Sequence, residues 1–265
     1  MPVHFNSFIA NKNEQLKTKI FSDMIKKYTE KADNVFISDD KSKIHMTSYL
    51  KDIHTHKKIG KVVITLIVRK DSIEIVDTDI TLLSNNKTKL HFEEKLEQSS
   101  EANEYYVVYD LEQERHFDVE TVNRYIINEE IEQSDREVYL SAFPFQLDIF
   151  ENEEDMNKTL GLGKKINIPG IGKRLIGMDT RMMSDGRIMV GSTEPCSFII
   201  GEVKSFENVE VDIAGNVIDF KIINLETGIG IMPVAVDERN FNLSKLRENV
   251  LIAMAADIKV DFEIN

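Results

Sequence analysis

The stretch Gly161-Leu-Gly-Lys-Lys-Ile-Asn-Ile-Pro-Gly-Ile-Gly-Lys-Arg174 decides how this chain divides. It opens a glycine-rich region. Eleven of the twelve glycines lie between Gly161 and Gly230, and the other is Gly60. Glycine permits positive φ, tight turns and close backbone approach. A glycine-poor run followed by a glycine-rich one predicts a change of architecture, with a boundary near residues 151–160. Residues 1–155 are expected to form one domain and residues 156–265 a second, a division that suits a chain of 265 residues.

Upstream of the boundary, Leu16, Ile20, Met24 and Tyr28 recur every four residues, with lysines filling the intervening positions. This spacing predicts an amphipathic helix of about 18 residues. Strands are predicted at Asn34–Ser38, Lys61–Arg69, Ser72–Leu83, Lys89–Lys95 and Glu104–Leu111, where β-branched and aromatic residues concentrate. Asp118 has the chemistry of an N-cap and Phe117 that of a staple onto Val122, which predicts a second helix to about Glu130. Phe143, Phe145, Leu147 and Ile149 alternate along a further strand, and Pro144, lacking an N–H, places that strand at a sheet edge. Asn152–Leu160 reads as a short acidic helix. The expected fold class of residues 1–155 is α+β.

Downstream, Ser197–Lys204 and Val209–Ile213 read as one bent strand, and Ala214-Gly215-Asn216 as a turn. Val217–Glu226 and Ile229–Val236 are the next strands, a short helix follows within residues 242–248, and Val250–Phe262 is the last strand. A bent strand, a meander, a helix and a returning strand match the order of a small OB-like barrel, so this part is expected to be mainly β.

The net charge of −13 is concentrated. Residues 1–100 balance at +3, residues 101–155 at −14 and residues 156–265 at −2, and the middle segment contains no lysine. Such a segment is a solvated acidic face or a docking surface for a basic partner, with steering that weakens in salt. A single cysteine, Cys196, excludes an internal disulfide. The first residues show no basic start followed by an apolar run. No apolar run approaches the ~20 residues of a spanning helix. The expectation is a cytoplasmic protein without a membrane role.

Within residues 161–174, Gly161-Leu-Gly163-Lys164-Lys165 is repeated nine residues later as Gly170-Ile-Gly172-Lys173-Arg174. Glycines beside lysines bring backbone N–H groups close to phosphate oxygens. The spacing is not that of a Walker loop, because Asn167 stands where the first glycine belongs and Arg174 where Ser or Thr belongs. The plain reading is a basic loop that pairs with the acidic segment.

Asp185 and the strand Phe198-Ile-Ile-Gly-Glu202-Val-Lys204 resemble, over about twenty residues, the metal-dependent nucleases of the PD-(D/E)xK class. The resemblance implies that Asp185 and Glu202 hold Mg²⁺ while Lys204 assists the attacking water. Ser184 stands where that pattern has Pro. A strand is predicted after Lys204, where such nucleases place a helix. Glu93-Glu94-Lys95 matches E-x-K equally well, and the plain reading of both is alternating surface charge on a strand. His54-Thr-His56 beside Asp52 lacks a third ligand in sequence. Met178, Met182, Met183 and Met189 suit core filling or an adaptable contact surface.

Two functions follow from these readings. The first is a non-enzymatic interaction protein that presents acids such as Glu129, Glu130 and Glu132 to a basic protein partner and needs no cofactor. The alternative is a nucleic-acid binder using Lys164, Lys165, Lys173 and Arg174. In its catalytic form this would be a nuclease in which Asp185, Glu202 and Lys204 work with Mg²⁺.

Overall fold

A computed structural model describes residues 14–96, 104–111, 115–122, 130–161, 165–168, 172–175, 197–213 and 215–262. Among these residues the chain is mostly β on both sides of residue 155, with two helices.

Helix α1 (Glu14–Glu30) is the predicted amphipathic helix. Its four-residue stripe buries Ile20, Met24 and Tyr28. It packs on an antiparallel sheet of β1 (Asn34–Ile37), β2 (Lys43–Lys51), β3 (Lys58–Val68) and β4 (Ile73–Leu82), in that order. Continuous apolar runs suit strands buried on both faces. β3 is such a strand, with Val62 through Ile67 all buried.

The larger sheet has eight strands, and its pairings close into two rings. β5 (Lys87–Lys95), β6 (Glu104–Asp110) and β7 (Arg115–Thr121) form an antiparallel meander. β8 (Ser134–Phe150) pairs antiparallel with β5. After α2 (Glu153–Thr159), the segments β9 (Lys165–Ile168) and β10 (Gly172–Leu175) make a separate hairpin. β11 (Ser197–Ile213), β12 (Asn216–Thr227) and β13 (Gly230–Val236) form a second meander, and β14 (Leu251–Phe262) pairs antiparallel with β11.

The two long strands β8 and β14 run antiparallel through the middle. Each also pairs parallel with the third strand of the other meander, β13 with β8 and β7 with β14. The units β5–β8 and β11–β14 therefore follow one pattern, and both rings share the two last strands. The even-numbered positions of β14, such as Met254 and Val260, face one shared core together with Leu140 and Ala142 of β8 and, past Phe145, with Leu147 and Ile149. A second core lies between the four-stranded sheet, α1 and the outer side of β11–β12, where Leu50, Ile64 and Ile80 meet Val211, Ile218 and Phe220. Both cores draw side chains from before and after residue 155.

Three local expectations are corrected. The described start of the predicted second helix is strand β7, because Phe117 and Val119 alternate with Asp118 and Glu120 and pair across to Val108 and Tyr106. Residues 123–129 of that predicted helix lie outside the described residues. Pro144 does not mark an edge strand. It sits where the β8–β14 ladder slips, Pro144 facing Ala256 and Gln146 facing Ala255, so Phe145 is the extra residue of a bulge. Residues 242–248 form turns, not a helix. There Phe241, Leu243 and Leu246 anchor an irregular segment on the core, and Asn242 Oδ1 accepts from Ser244 N at 3.1 Å.

Candidate functional site

Two groups of acids stand out among the described residues of 101–155. One group is taken up by the fold. Glu104 accepts from Lys95 at 2.5 Å and from the Tyr106 hydroxyl at 2.7 Å. Glu120 is buried against Lys259. Asp135 meets His91 at 2.8 Å, and Arg247 and Lys245 reach Glu151 and Asp155. At α2, Asn152 caps the helix by accepting from Asp155 N, and Glu153, Glu154 and Asp155 occupy the first turn, where the helix dipole favours carboxylates.

The other group gathers at one rim. Gln133 N donates to Phe92 O at 2.6 Å, and Lys95 N donates to Glu132 Oε1 at 3.4 Å. These bonds place exposed Glu130 and Glu132 beside Glu93 and Glu94 at the end of β5. Glu93 meets His116 at 3.1 Å. The sequence expectation named Glu130 and Glu132 but not Glu93 or Glu94, because those two lie in a segment of net positive charge. Glu129 lies outside the described residues.

Both E-x-K motifs occur at a ladder bulge in the first strand of a meander, Glu93-x-Lys95 in β5 and Glu202-x-Lys204 in β11. In each, the lysine bridges a glutamate of the next strand. Lys95 reaches Glu104 at 2.5 Å, and Lys204 reaches Glu226 at 2.5 Å and Glu202 at 2.9 Å. The hydrogen bonds to Glu226 and Glu202 raise the Lys204 pKa above the ordinary lysine value, so the ammonium stays charged. The strand continues past Lys204 to Ile213. Asp185 lies outside the described residues, and among those described no group of three or more metal-ligating side chains converges.

The glycine–lysine repeat places Lys165 in β9 and Lys173 and Arg174 in β10. In this hairpin Lys173 faces Asn167 and Lys165 faces Leu175. Lys164, Cys196 and the four methionines from Met178 to Met189 lie outside the described residues. His54 meets Glu210 at 3.1 Å. Its neighbour Asp52 ties the β2–β3 turn to β11, accepting from Thr55 N at 2.7 Å and Glu210 N at 3.1 Å. Those backbone bonds, Thr55 first, hold the Asp52 carboxyl down at about 2.

The most heavily buried charges join the two sheets. Lys259 on β14 is fully buried and meets Asp79 of β4 at 3.3 Å as well as Glu120 of β7. Lys61 of β3 meets Asp261 of β14 at 2.5 Å, and the hydroxyls of Thr81 and Ser141 lie 2.9 Å apart. Each sheet thus supplies one lysine and one aspartate to the other. Burial alone would lower the Lys259 pKa, but Asp79, Glu120 and Asp257 outweigh it and hold the pKa above the ordinary lysine value. The sequence signal was the alternation Asp257, Lys259, Asp261 inside an otherwise apolar strand.

No protein-family model, no curated protein and no solved structure matches the chain. No described helix is long and apolar enough to cross a membrane.

Proposed function

We propose that this chain is a non-enzymatic, cytoplasmic interaction protein that offers an acidic surface to a basic protein partner. Each ring of strands is, in this reading, an OB-like barrel, an architecture that serves as a binding scaffold. The observation that supports the reading most directly is the rim of Glu93, Glu94, Glu130 and Glu132. Two stretches about 40 residues apart are hydrogen-bonded together, which brings these acids to one rim of the fold. Carboxylates at an exposed rim cost little to maintain and act through long-range attraction, which speeds and orients encounter with a cationic partner.

The test is fluorescence anisotropy of the full chain with a labelled lysine-rich peptide and with labelled single- and double-stranded DNA and RNA, with and without Mg²⁺. A gel of the same samples reads cleavage. The peptide should bind in a salt-sensitive way and weaken when Glu129, Glu130 and Glu132 are changed to Gln. Changing Lys164, Lys165, Lys173 and Arg174 to Gln should leave peptide binding unaltered. The reading is overturned by nucleic-acid binding that those basic substitutions remove. Mg²⁺-dependent cutting that Glu202→Ala removes would overturn it equally.

A further inference from the structure

A cleft of about 660 Å³ opens where the edge of the four-stranded sheet meets the central strands. β1, β2 and β3 form one wall, and Tyr139 of β8 with Asp261 of β14 forms the other. A volume of several hundred Å³ is the size that encloses one small organic molecule. A second cleft of about 320 Å³ adjoins it and shares Lys58, Ser84 and Asn85.

The cations of these two clefts are matched, with one exception. Lys61 is held by Asp261 at 2.5 Å, Lys57 by Glu207 at 2.8 Å and Lys204 by Glu226 at 2.5 Å. Lys58, on the wall the clefts share, is exposed and has no carboxylate partner among the described residues. Its ammonium lies 3.6 Å over the ring of Tyr49, which holds it in place. Tyr139 of the facing wall has Lys87, which is outside the lining, 5.6 Å from its ring centre. His45, at the back of the larger cleft, is kept neutral by burial. The lining of the larger cleft therefore carries Lys58, Lys61 and Asp261 as its charges, a balance of +1 within a chain of −13.

The remaining lining is rich in paired donors and acceptors. Asn34, Thr47, Ser84 and Asn85 line the cleft with Lys61 and Asp261, beside the aromatic and apolar surface of Tyr49, Tyr139 and Leu83. An apolar ligand would strip water from these groups and return nothing. A nucleic-acid strand would have to approach against the net negative charge of the whole chain.

We infer that this cleft binds a small anionic polyol, with a phosphate or carboxylate on Lys58 and hydroxyls on Asn85 and Ser84. The inference is independent of the acidic rim, which lies at the end of β5 and shares no residue with the cleft.

The test is isothermal titration of the full chain with glucose 6-phosphate, glucuronate, glucose and inorganic phosphate. At least one of the two anionic sugars should bind one to one, and which of them binds identifies the headgroup. Lys58→Gln should weaken that binding about tenfold, the loss expected for one charge-assisted hydrogen bond. Asn85→Ala should weaken it as well. Lys245→Gln, remote from the cleft, should leave it unaltered, and circular dichroism should show all three variants folded. The proposal is overturned if neither anionic sugar binds at millimolar concentration. It is also overturned if glucose or inorganic phosphate binds as tightly as the anionic sugars, or if Lys58→Gln binds as well as the parent chain.

Discussion

Replacing Lys259 with Met removes a charge that three carboxylates surround. In the native chain the ammonium is fully buried, 3.3 Å from Asp79, in contact with Glu120 and near Asp257. Met fills most of the aliphatic volume, so the loss is electrostatic. Asp79 and Glu120 are themselves 0% and 5% exposed and are left without their shared cation. Breaking a buried pair in this way costs about 3–5 kcal/mol, because the orphaned charges stay desolvated. For a chain of this size that corresponds to a fall in thermal midpoint of about 6–20 °C. The deficit depends on pH. Stranded carboxylates titrate above their ordinary values, so the folded variant takes up protons that the unfolded chain has released, and its stability rises as pH falls. The parent chain has a dependence of the same sign, displaced to the basic end. Its raised Lys259 pKa contributes stability that is complete below the ordinary lysine value and is lost as pH rises through the folded one. The assay is thermal unfolding followed by far-ultraviolet circular dichroism, since the chain has no tryptophan. Adding Asp79→Asn and Glu120→Gln to Lys259→Met should restore most of the loss. A single variant that melts within about 2 °C of the parent at neutral pH would refute the reasoning, for it would mean that the three charges do not stabilise the contact between the sheets.

Burial, with help from Lys43, lowers the His45 pKa to about 4, so stability should fall as pH drops from about 6.5 toward about 4, where the unfolded chain binds a proton that the native ring refuses. His45→Gln should flatten that slope, and a native ring seen by NMR to titrate near 6.5 would contradict it. Gly201→Ala places a methyl group 2.6 Å from Glu226 O and 2.6 Å from Leu225 Cγ, which should cost about 1–3 kcal/mol in chemical denaturation; an unchanged midpoint would show that β11 and β12 can move apart. Gly215 has φ of +85° with open space around it, so Gly215→Ala tests backbone strain alone, about 1–2 kcal/mol, and Gly215→Asn should lose less.

Local patterns in the sequence located α1, α2 and most strands, including the bent β11, because each rests on neighbours along the chain. What depends on contacts far apart in sequence was not legible there. Phe117 and Val119 suit a helix as well as a strand, and the choice was made by Tyr106 and Val108 across the hairpin. The crossed parallel pairings of β7 with β14 and β13 with β8 have no signature in any single segment. The same holds for the site. Glu130 and Glu132 stood out by charge, but Glu93 and Glu94 joined them only through hydrogen bonds made in the fold. The two E-x-K motifs read as equally weak matches to a nuclease. Each places a lysine–glutamate bridge at a bulge in the first strand of its meander.

The described turns that need positive φ are filled by different residue types along the chain. Both halves of the chain make turns that need positive φ. In the first half Lys41, His56 and Gln133 adopt it, at 57°, 58° and 57°. In the second half Gly215 and Gly230 do so, with Asn249 as an exception at 65°. Gly161 adopts it as well, at 72°, and the meanders on either side are paired alike. The non-glycine residues bear a strain of about 1–2 kcal/mol each, so something must hold them. At Gln133 the holder is visible. Its backbone N–H donates to Phe92 O and its side-chain amide to Glu93 O, so the turn is fastened to β5 at two points. A glycine there would relax the backbone and give up the side-chain bond. The strained turn that removes a glycine from the first half is the same turn that holds Glu130 and Glu132 beside Glu93 and Glu94.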